Sequence, residues 1–281
     1  MGHVMSRQTL VTTDGCKLHY VKLGQNDGRL VVLLHGWSGS HRSFEPVVQP
    51  LLAQGGIQLV LPDQRFHGDS DKPDWGFHVH RLAADLKELL ESLGGQKAVV
   101  VGTSMGSAVI WAFIELFGTK LLRGCVFVDQ APLQNKVPGW SIGSKGCYDA
   151  ATLAQLQKTL LDDGLEKFAD GNVAFCSNKE LAPELCDILK QETCKCNPAH
   201  LGTLMADHTQ LDHRPTLPRI DVPCLNIYGS ASKVFPTEGC ESIALKVTNC
   251  QNLCYEGCNH WLYLEEPERF AADLGAFVRR I

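Results

Sequence analysis

The sequence predicts an α/β protein: a mostly parallel, doubly wound sheet interrupted by an inserted helical cap. Three observations lead there. Six apolar runs have strand character: "LVVLLHG" from Leu30, "IQLVLPD" from Ile57, "KAVVVGTS" from Lys97, "GCVFVDQ" from Gly124, "PCLNIYG" from Pro223 and "QNLCYEG" from Gln251. Helical patterns lie between them, so strand and helix alternate. The alternation breaks between about Pro132 and Ala199, where helical patterns run on without a convincing strand.

The runs are near-continuous in Val and Leu, the composition of strands covered on both faces. "FHVHRLAADLKELLESLGG" puts Leu82, Leu86, Leu89, Leu90 and Leu93 on one stripe and stops at a glycine pair. "MGSAVIWAFIELFG" is apolar almost all round, as a helix enclosed in a core is. The cap opens on turn-rich "APLQNKVPGWSIGSKG" and carries helical patterns in "DAATLAQLQKTLLDDGLEKFA" and "LAPELCDILKQET". Sheet character returns at Pro223, and amphipathic "PERFAADLGAFVRR" closes the chain with basic residues in its last turn. The expected division is a first core segment 1–131, a helical cap 132–198 and a second core segment 199–281.

At 281 residues, 44% hydrophobic and 20% charged, the chain is long and apolar enough for a sizeable core. A net charge of -5 with no Lys/Arg run longer than a pair argues against nucleic acid and polybasic membrane binding. A small-molecule partner is expected. No apolar run is long enough to span a bilayer and "MGHVMSRQTL" lacks a signal-peptide core, so stable membrane insertion is not expected and a cytoplasmic address is. "MGHVMS" fits the loose acylation pattern M-G-x-x-x-S, which is short enough to arise by chance. The twelve cysteines include no C-x-x-C pair, so buried thiols are expected rather than zinc ligands or disulfides. Nothing in the sequence bears on oligomeric state.

"GTSMG", from Gly102 to Gly106, follows a strand and opens an apolar helix. In that context G-x-S-x-G marks a strained turn that exposes the Ser104 hydroxyl and aims the Met105 N–H, at a helix N-terminus, toward a nearby oxyanion. "LLHGW" offers the second donor in the backbone N–H of Trp37, where Gly36 permits close approach of backbone. A base late in the chain is expected, and His260 in "YEGCNHWLYLEEPERF" lies after the last strand and before the final helix. The other histidines have duller readings. His78 and His80 flank a helix start, His208 and His213 lie in a polar helix end and turn, and His67 ties a loop.

Four separated elements, "HGW" at His35, "DQRFHGDS" at Asp63, "GTSMGS" at Gly102 and "GCNHW" at Gly257, make the chain resemble an α/β-hydrolase-fold serine hydrolase. It is similar to the branch of esterases, lactonases and cofactor-free haloperoxidase-like enzymes. Loops of that branch often read D-x-R-G-H-G-x-S, and here Phe66 replaces the first of those glycines, a departure expected to alter packing beneath the pocket. The resemblance implies an acyl-enzyme route with Ser104 as nucleophile, His260 as base, and the N–H groups of Trp37 and Met105 as oxyanion hole. Serine as nucleophile argues against the epoxide hydrolases and haloalkane dehalogenases of this fold, which need a carboxylate there.

The family's acid commonly follows the next-to-last strand in a G-x-x-D-x-x-x-P loop. Laid on "GSASKVFP", that position is Ser232. Asp129 in "VFVDQAP" ends the strand after the nucleophile strand, a site where relatives are known to place the acid, and is the leading candidate. Glu238, Asp212, a true absence of the acid, and a purely loop-capping Asp129 remain open. The expected substrate is an ester or lactone with an apolar part, in a pocket walled by Trp37, Met105, Trp140 and Trp261. C–C bond hydrolysis and acyl transfer would use the same residues, perhydrolysis would be a side reaction, and a ligand receptor with weak turnover is the reading from another class. No motif implies a metal or organic cofactor.

Overall fold

The computed structural model describes residues 6–281, and Gly2 of the acylation pattern lies outside them. The chain opens on two strands beyond the six expected, β1 (Ser6–Val11) and β2 (Lys17–Gly24), paired antiparallel. The expected runs follow as β3 (Arg29–Leu34), β4 (Ile57–Pro62), β5 (Ala98–Thr103), β6 (Leu122–Val128), β7 (Cys224–Gly229) and β8 (Cys250–Tyr255). All eight join one sheet in the order β1-β2-β4-β3-β5-β6-β7-β8. β2 meets β4 antiparallel, and every pair from β4 to β8 is parallel.

The lack of alternation in the apolar runs has its reason in two separate cores. Val99 and Val101 of β5 face one cluster while Ala98 and Val100 face the other. The flanking helices are α1 (Glu45–Leu52), α2 (Val79–Ser92) and α3 (Met105–Phe117). The inserted interval supplies α4 (Ala150–Asp162), α5 (Gly164–Cys176), α6 (Pro183–Cys194) and α7 (Pro198–Gln210). The chain ends on α8 (Thr237–Glu241), α9 (Leu262–Glu265) and α10 (Pro267–Arg280). α2 and α3 pack on one face of the sheet, α1 and α10 on the other. On α2, Leu82, Leu86, Leu89 and Leu90 are buried in this way, each contributing about 2 kcal/mol of transfer free energy.

The single helical pattern expected from Asp149 breaks at Asp163–Gly164, where Gly164 takes a positive φ of 77° and α5 starts. α6 and α7 each begin on a proline, which suits a first helical position that has no N–H bond to lose. Asn197 caps α7 by accepting from the N–H groups of Ala199 and His200. α5 packs on α6, and α7 packs on α4, tied to it by Gln157 Nε2 donating to Gly202 O at 3.0 Å. The second core segment expected from 199 therefore begins inside α7. Among the described residues no helix is long and apolar enough to cross a membrane.

Candidate active site

β5 runs directly into α3 through a turn at Ser104, whose φ of 51° and ψ of -122° lie outside the regions ordinary L-residues prefer. The flanking glycines are dictated by close approach. A Cβ on Gly102 would collide with the Gly106 carbonyl, and one on Gly106 would lie 2.5 Å from Leu34 O. Ser104 N–H donates to Val128 O at 2.9 Å, and Ser107 Oγ donates to Gly102 O at 2.6 Å, which locks the turn against β6. The strained turn is thereby held by its surroundings rather than by its own preferences.

The His35–Gly36–Trp37 turn at the end of β3 lies against the same serine. A Cβ on Gly36 would stand 3.1 Å from Ser104 Cβ and 3.8 Å from its Oγ. His35 fixes this turn. Its Nε2 accepts from Gln64 N–H at 3.0 Å, so Nδ1 carries the proton and donates to Gly36 O at 2.8 Å. Burial pushes the His35 pKa down, which keeps that neutral tautomer. Among the described residues neither the Trp37 nor the Met105 N–H donates to a protein acceptor, Met105 being the first residue of α3.

His260 and Asp129 meet from distant parts of the chain. Asp129 directly follows β6, with a φ of 47°, and is fully buried. Its Oδ2 accepts from His260 Nδ1 at 2.6 Å and from Ser232 Oγ at 2.8 Å, and its Oδ1 accepts from Gly229 N–H at 3.1 Å. A carboxylate only accepts, so the His260 proton sits on Nδ1 and Nε2 is left with a lone pair. β6 lies between β5 and β7, which brings Asp129, Ser104 and Ser232 to neighbouring strand ends. Of the other acids considered, Asp212 pairs with Arg214 at 2.6 Å and Glu238 stands in the first turn of α8, and neither bonds His260.

Ser104 and His260 line one cavity of about 480 Å³. Gly36, Trp37 and Trp261 also line it, and α4 to α7 supply Leu156, Phe168, Leu189 and Met205. Ser104 Oγ approaches Gln130 Oε1 at 3.5 Å and makes no direct hydrogen bond to His260. Cys147 and Cys176 share the lining, but burial raises their pKa values to about 11 and about 12, so both thiols stay protonated at neutral pH.

Two expected pocket walls lie elsewhere. Trp140 packs with Leu133, Tyr228 and Phe235, and its Nε1 donates to Leu133 O at 3.0 Å, because that buried N–H needs an acceptor. The Met105 side chain is enclosed in the core under α3 and leaves only its backbone N–H at the turn. Three further residues, His208 among them with only a structural role expected, belong to the site or its support. Gln130 approaches Ser104, and His208 lines the cavity from α7. Asn259 holds the His260 loop, its Oδ1 accepting from the N–H groups of His260 and Lys233 and its Nδ2 donating to Phe175 O at the end of α5. A polar residue beside a catalytic-type histidine was the available signal for Asn259; His208 carried none.

"DQRFHGDS" is a structural clamp. Asp63 accepts from both Nδ1 and N–H of His41, from His19 Nδ1 and from Asp69 N–H, which fills its four acceptor positions. His67 donates toward Arg65 O at 2.8 Å and is held neutral, its pKa pushed down to about 3 by burial. All twelve cysteines are free thiols, seven of them buried, so packing accounts for most of them.

Residues 29–189 match the family model described as alpha/beta hydrolase fold, more than half of the chain. The AB hydrolase superfamily protein YisY of Bacillus subtilis is 26% identical over 99% of both chains. A non-heme chloroperoxidase of Streptomyces lividans is 27% identical over 96% of this chain and 99% of its own. Among solved structures, the esterase EaEST of Exiguobacterium antarcticum superposes with a TM-score of 0.89 at 23% identity, covering 97% of this chain and 99% of that one. With its eight-stranded, mostly parallel sheet and helices on both faces, the chain belongs to the α/β-hydrolase-fold family.

Proposed function

We propose that the protein is a serine hydrolase that cleaves a carboxylic ester or lactone through an acyl-enzyme. The observation that carries this reading is the convergence of Ser104 and the His260–Asp129 pair, joined at 2.6 Å, on one cavity. Ser104 Oγ attacks the carbonyl carbon while His260 Nε2 takes its proton and then delivers it to the leaving oxygen. Asp129 orients the ring and offsets the imidazolium charge. The N–H groups of Trp37 and Met105 receive the oxyanion, and the absence of competing protein acceptors for them supports that role. Water then enters by the reverse of the same proton path and releases the acid.

Trp37, Leu156, Phe168, Leu189, Met205 and Trp261 favour an apolar acyl or alcohol part. We assign α4 to α7 as the lid over this cavity, since each of the four helices contributes lining residues. The ligand-receptor reading rested on serine at position 232, and it loses that motive because Ser232 stands beside a carboxylate already bonded to His260. The test is intact-mass analysis after incubation with a fluorophosphonate, with peptide mapping and a parallel 4-nitrophenyl butyrate assay. An adduct at Ser104, lost together with turnover in Ser104→Ala, is the expected result. Folded wild-type protein that neither labels nor turns over ester would overturn the proposal.

A further inference from the structure

The helical layer over the cavity is not uniformly apolar. His208, one turn after Met205 on α7, lines the cavity at 4% exposure. Its Nδ1 is buried without a hydrogen-bond partner. Native interiors rarely leave a buried imidazole nitrogen unpaired, because a buried polar group that loses water and gains nothing is destabilising. Gln134 also lines the cavity, next to Met205. Its Nε2 donates to Cys147 O at 3.1 Å and lies 3.6 Å from Met205 Sδ, while its Oε1 accepts from no protein donor. Both side chains line the cavity and place polar groups near Met205, a polar corner in a largely apolar wall.

The charge state of this corner narrows the chemistry. Burial pushes the His208 pKa down to about 4, against the opposing pull of Asp207, so the ring is neutral at pH 7 and offers one donor and one acceptor. Among the described residues, no Lys, Arg, Asp or Glu lines the cavity. An anionic or cationic substituent would find no counter-ion there, and its desolvation would go uncompensated. A hydroxyl, which both donates and accepts, or a keto oxygen, which accepts, matches a neutral imidazole in that wall.

We propose that His208 is a specificity-determining residue that recognises a neutral hydroxyl or keto group carried by the substrate in addition to its scissile carbonyl. This rests on the ester-hydrolase reading and deepens it: the substrate class becomes uncharged hydroxy- or oxo-substituted esters and lactones with an apolar frame. His213 serves as an internal control. It is equally buried and unpartnered, but it packs on Trp111 at 5.5 Å and does not line the cavity.

The test compares kcat/KM for a hexanoate ester with the same ester bearing a hydroxyl or a keto group at each chain carbon in turn. At one position at least, the wild type is expected to favour the substituted ester by about tenfold or more, since a site built to bond a polar group rejects the analogue lacking it. His208→Phe should bring the ratio of kcat/KM for the substituted ester to that for its parent down to about one, His208→Gln should retain part of the preference, and His213→Asn should leave it intact. An unsubstituted ester preferred at every position, or a ratio unchanged by His208→Phe, would overturn the inference while ester turnover itself upheld the hydrolase reading. If the folded wild type neither labels nor turns over, calorimetric binding of the same ester pairs to Ser104→Ala, with and without His208→Phe, decides it. Equal affinities in that assay sink the inference, and a preference that depends on His208 supports it without catalysis.

Discussion

Ser232 Oγ donates to Asp129 Oδ2 at 2.8 Å, the same oxygen that His260 Nδ1 meets at 2.6 Å. The serine is itself oriented by the N–H groups of Val234 and Phe235, each 3.2 Å from its oxygen. The loop position where relatives commonly keep their acid thus holds a hydroxyl that bonds the carboxylate supplied by the neighbouring strand. Strand order makes this possible, because β6 and β7 are adjacent and end at the same edge.

The first prediction ranks these two residues. Asp129→Asn keeps shape but removes the charge that stabilises imidazolium and presents the wrong donor pattern to Nδ1, so kcat on 4-nitrophenyl butyrate should fall roughly 10³-fold or more. Ser232→Ala removes one of three bonds to the carboxylate and should cost about tenfold. The reverse ranking would place the acid elsewhere.

A second prediction moves the charge. In Asp129→Asn/Ser232→Asp the carboxylate returns to the β7 loop while asparagine keeps the positive φ that Asp129 adopts, a conformation Asn tolerates well. Activity should recover by about tenfold or more over Asp129→Asn alone. Ser232→Asp by itself sets two carboxylates side by side, so one should hold a proton and add a new ionisation to the pH–rate profile. A double variant no faster than Asp129→Asn would show that histidine reads direction as well as charge.

The parallel strands and the turn at Ser104 are legible in the sequence because each is dictated locally: unbroken Val/Leu runs need cover on both faces, and glycines are forced by backbone contact. β1 and β2 are less so. They form the edge of the sheet, and in β2 the buried Leu18 and Tyr20 alternate with Lys17 and His19, leaving a weak apolar signal. α7 is legible only as a polar helix end at His208, since Gly202, Thr203 and His208 dilute its periodicity and its buried side is set by α4 and the cavity. Trp140 and His208 exchange their expected roles because tertiary packing, which no single stretch encodes, decides which side chain faces the pocket.

Phe66 supports a third prediction with an unusual sign. It takes a φ of 76° where the family's loop often has glycine, and it stacks on Phe77 at 4.7 Å and meets His200 of α7 edge-on at 5.8 Å. Phe66→Ala removes the packing and keeps a Cβ in the left-handed region, for a loss of about 3–5 kcal/mol. Phe66→Gly loses the same ring but relieves about 1–2 kcal/mol of backbone strain. The glycine variant should therefore show the higher urea midpoint, reversing the usual order of Gly and Ala. Equal midpoints would mean that the loop carries no such strain.

The fourth prediction concerns acid. Burial lowers the pKa of His67 and His213 to about 3 and of His208 to about 4, and pushes that of His35 down as well. The unfolded chain protonates each near 6.5. Because the folded values are depressed, these groups contribute stability that is fully present above about 6.5 and is lost as pH falls toward the folded values, the unfolded state taking up protons the folded state refuses. Each histidine adds a slope on the order of 1.4 kcal/mol per pH unit well below 6.5, so His67, His208 and His213 together give about 4 kcal/mol per unit. The carboxyl of Asp63, lowered by the hydrogen bonds from His19 and His41 despite its burial, loses its contribution only below the ordinary carboxylate range. The window between pH 6.5 and 4.5 therefore belongs to the histidines. Urea midpoints should drop steeply from pH 6.5 to 5, and His213→Asn, which removes one of the four depressed histidines, should make that drop shallower by about a quarter. A midpoint that stays flat across the window would mean that these rings accept protons in the folded protein, and the neutral state assigned to His208 in the cavity would fall with it.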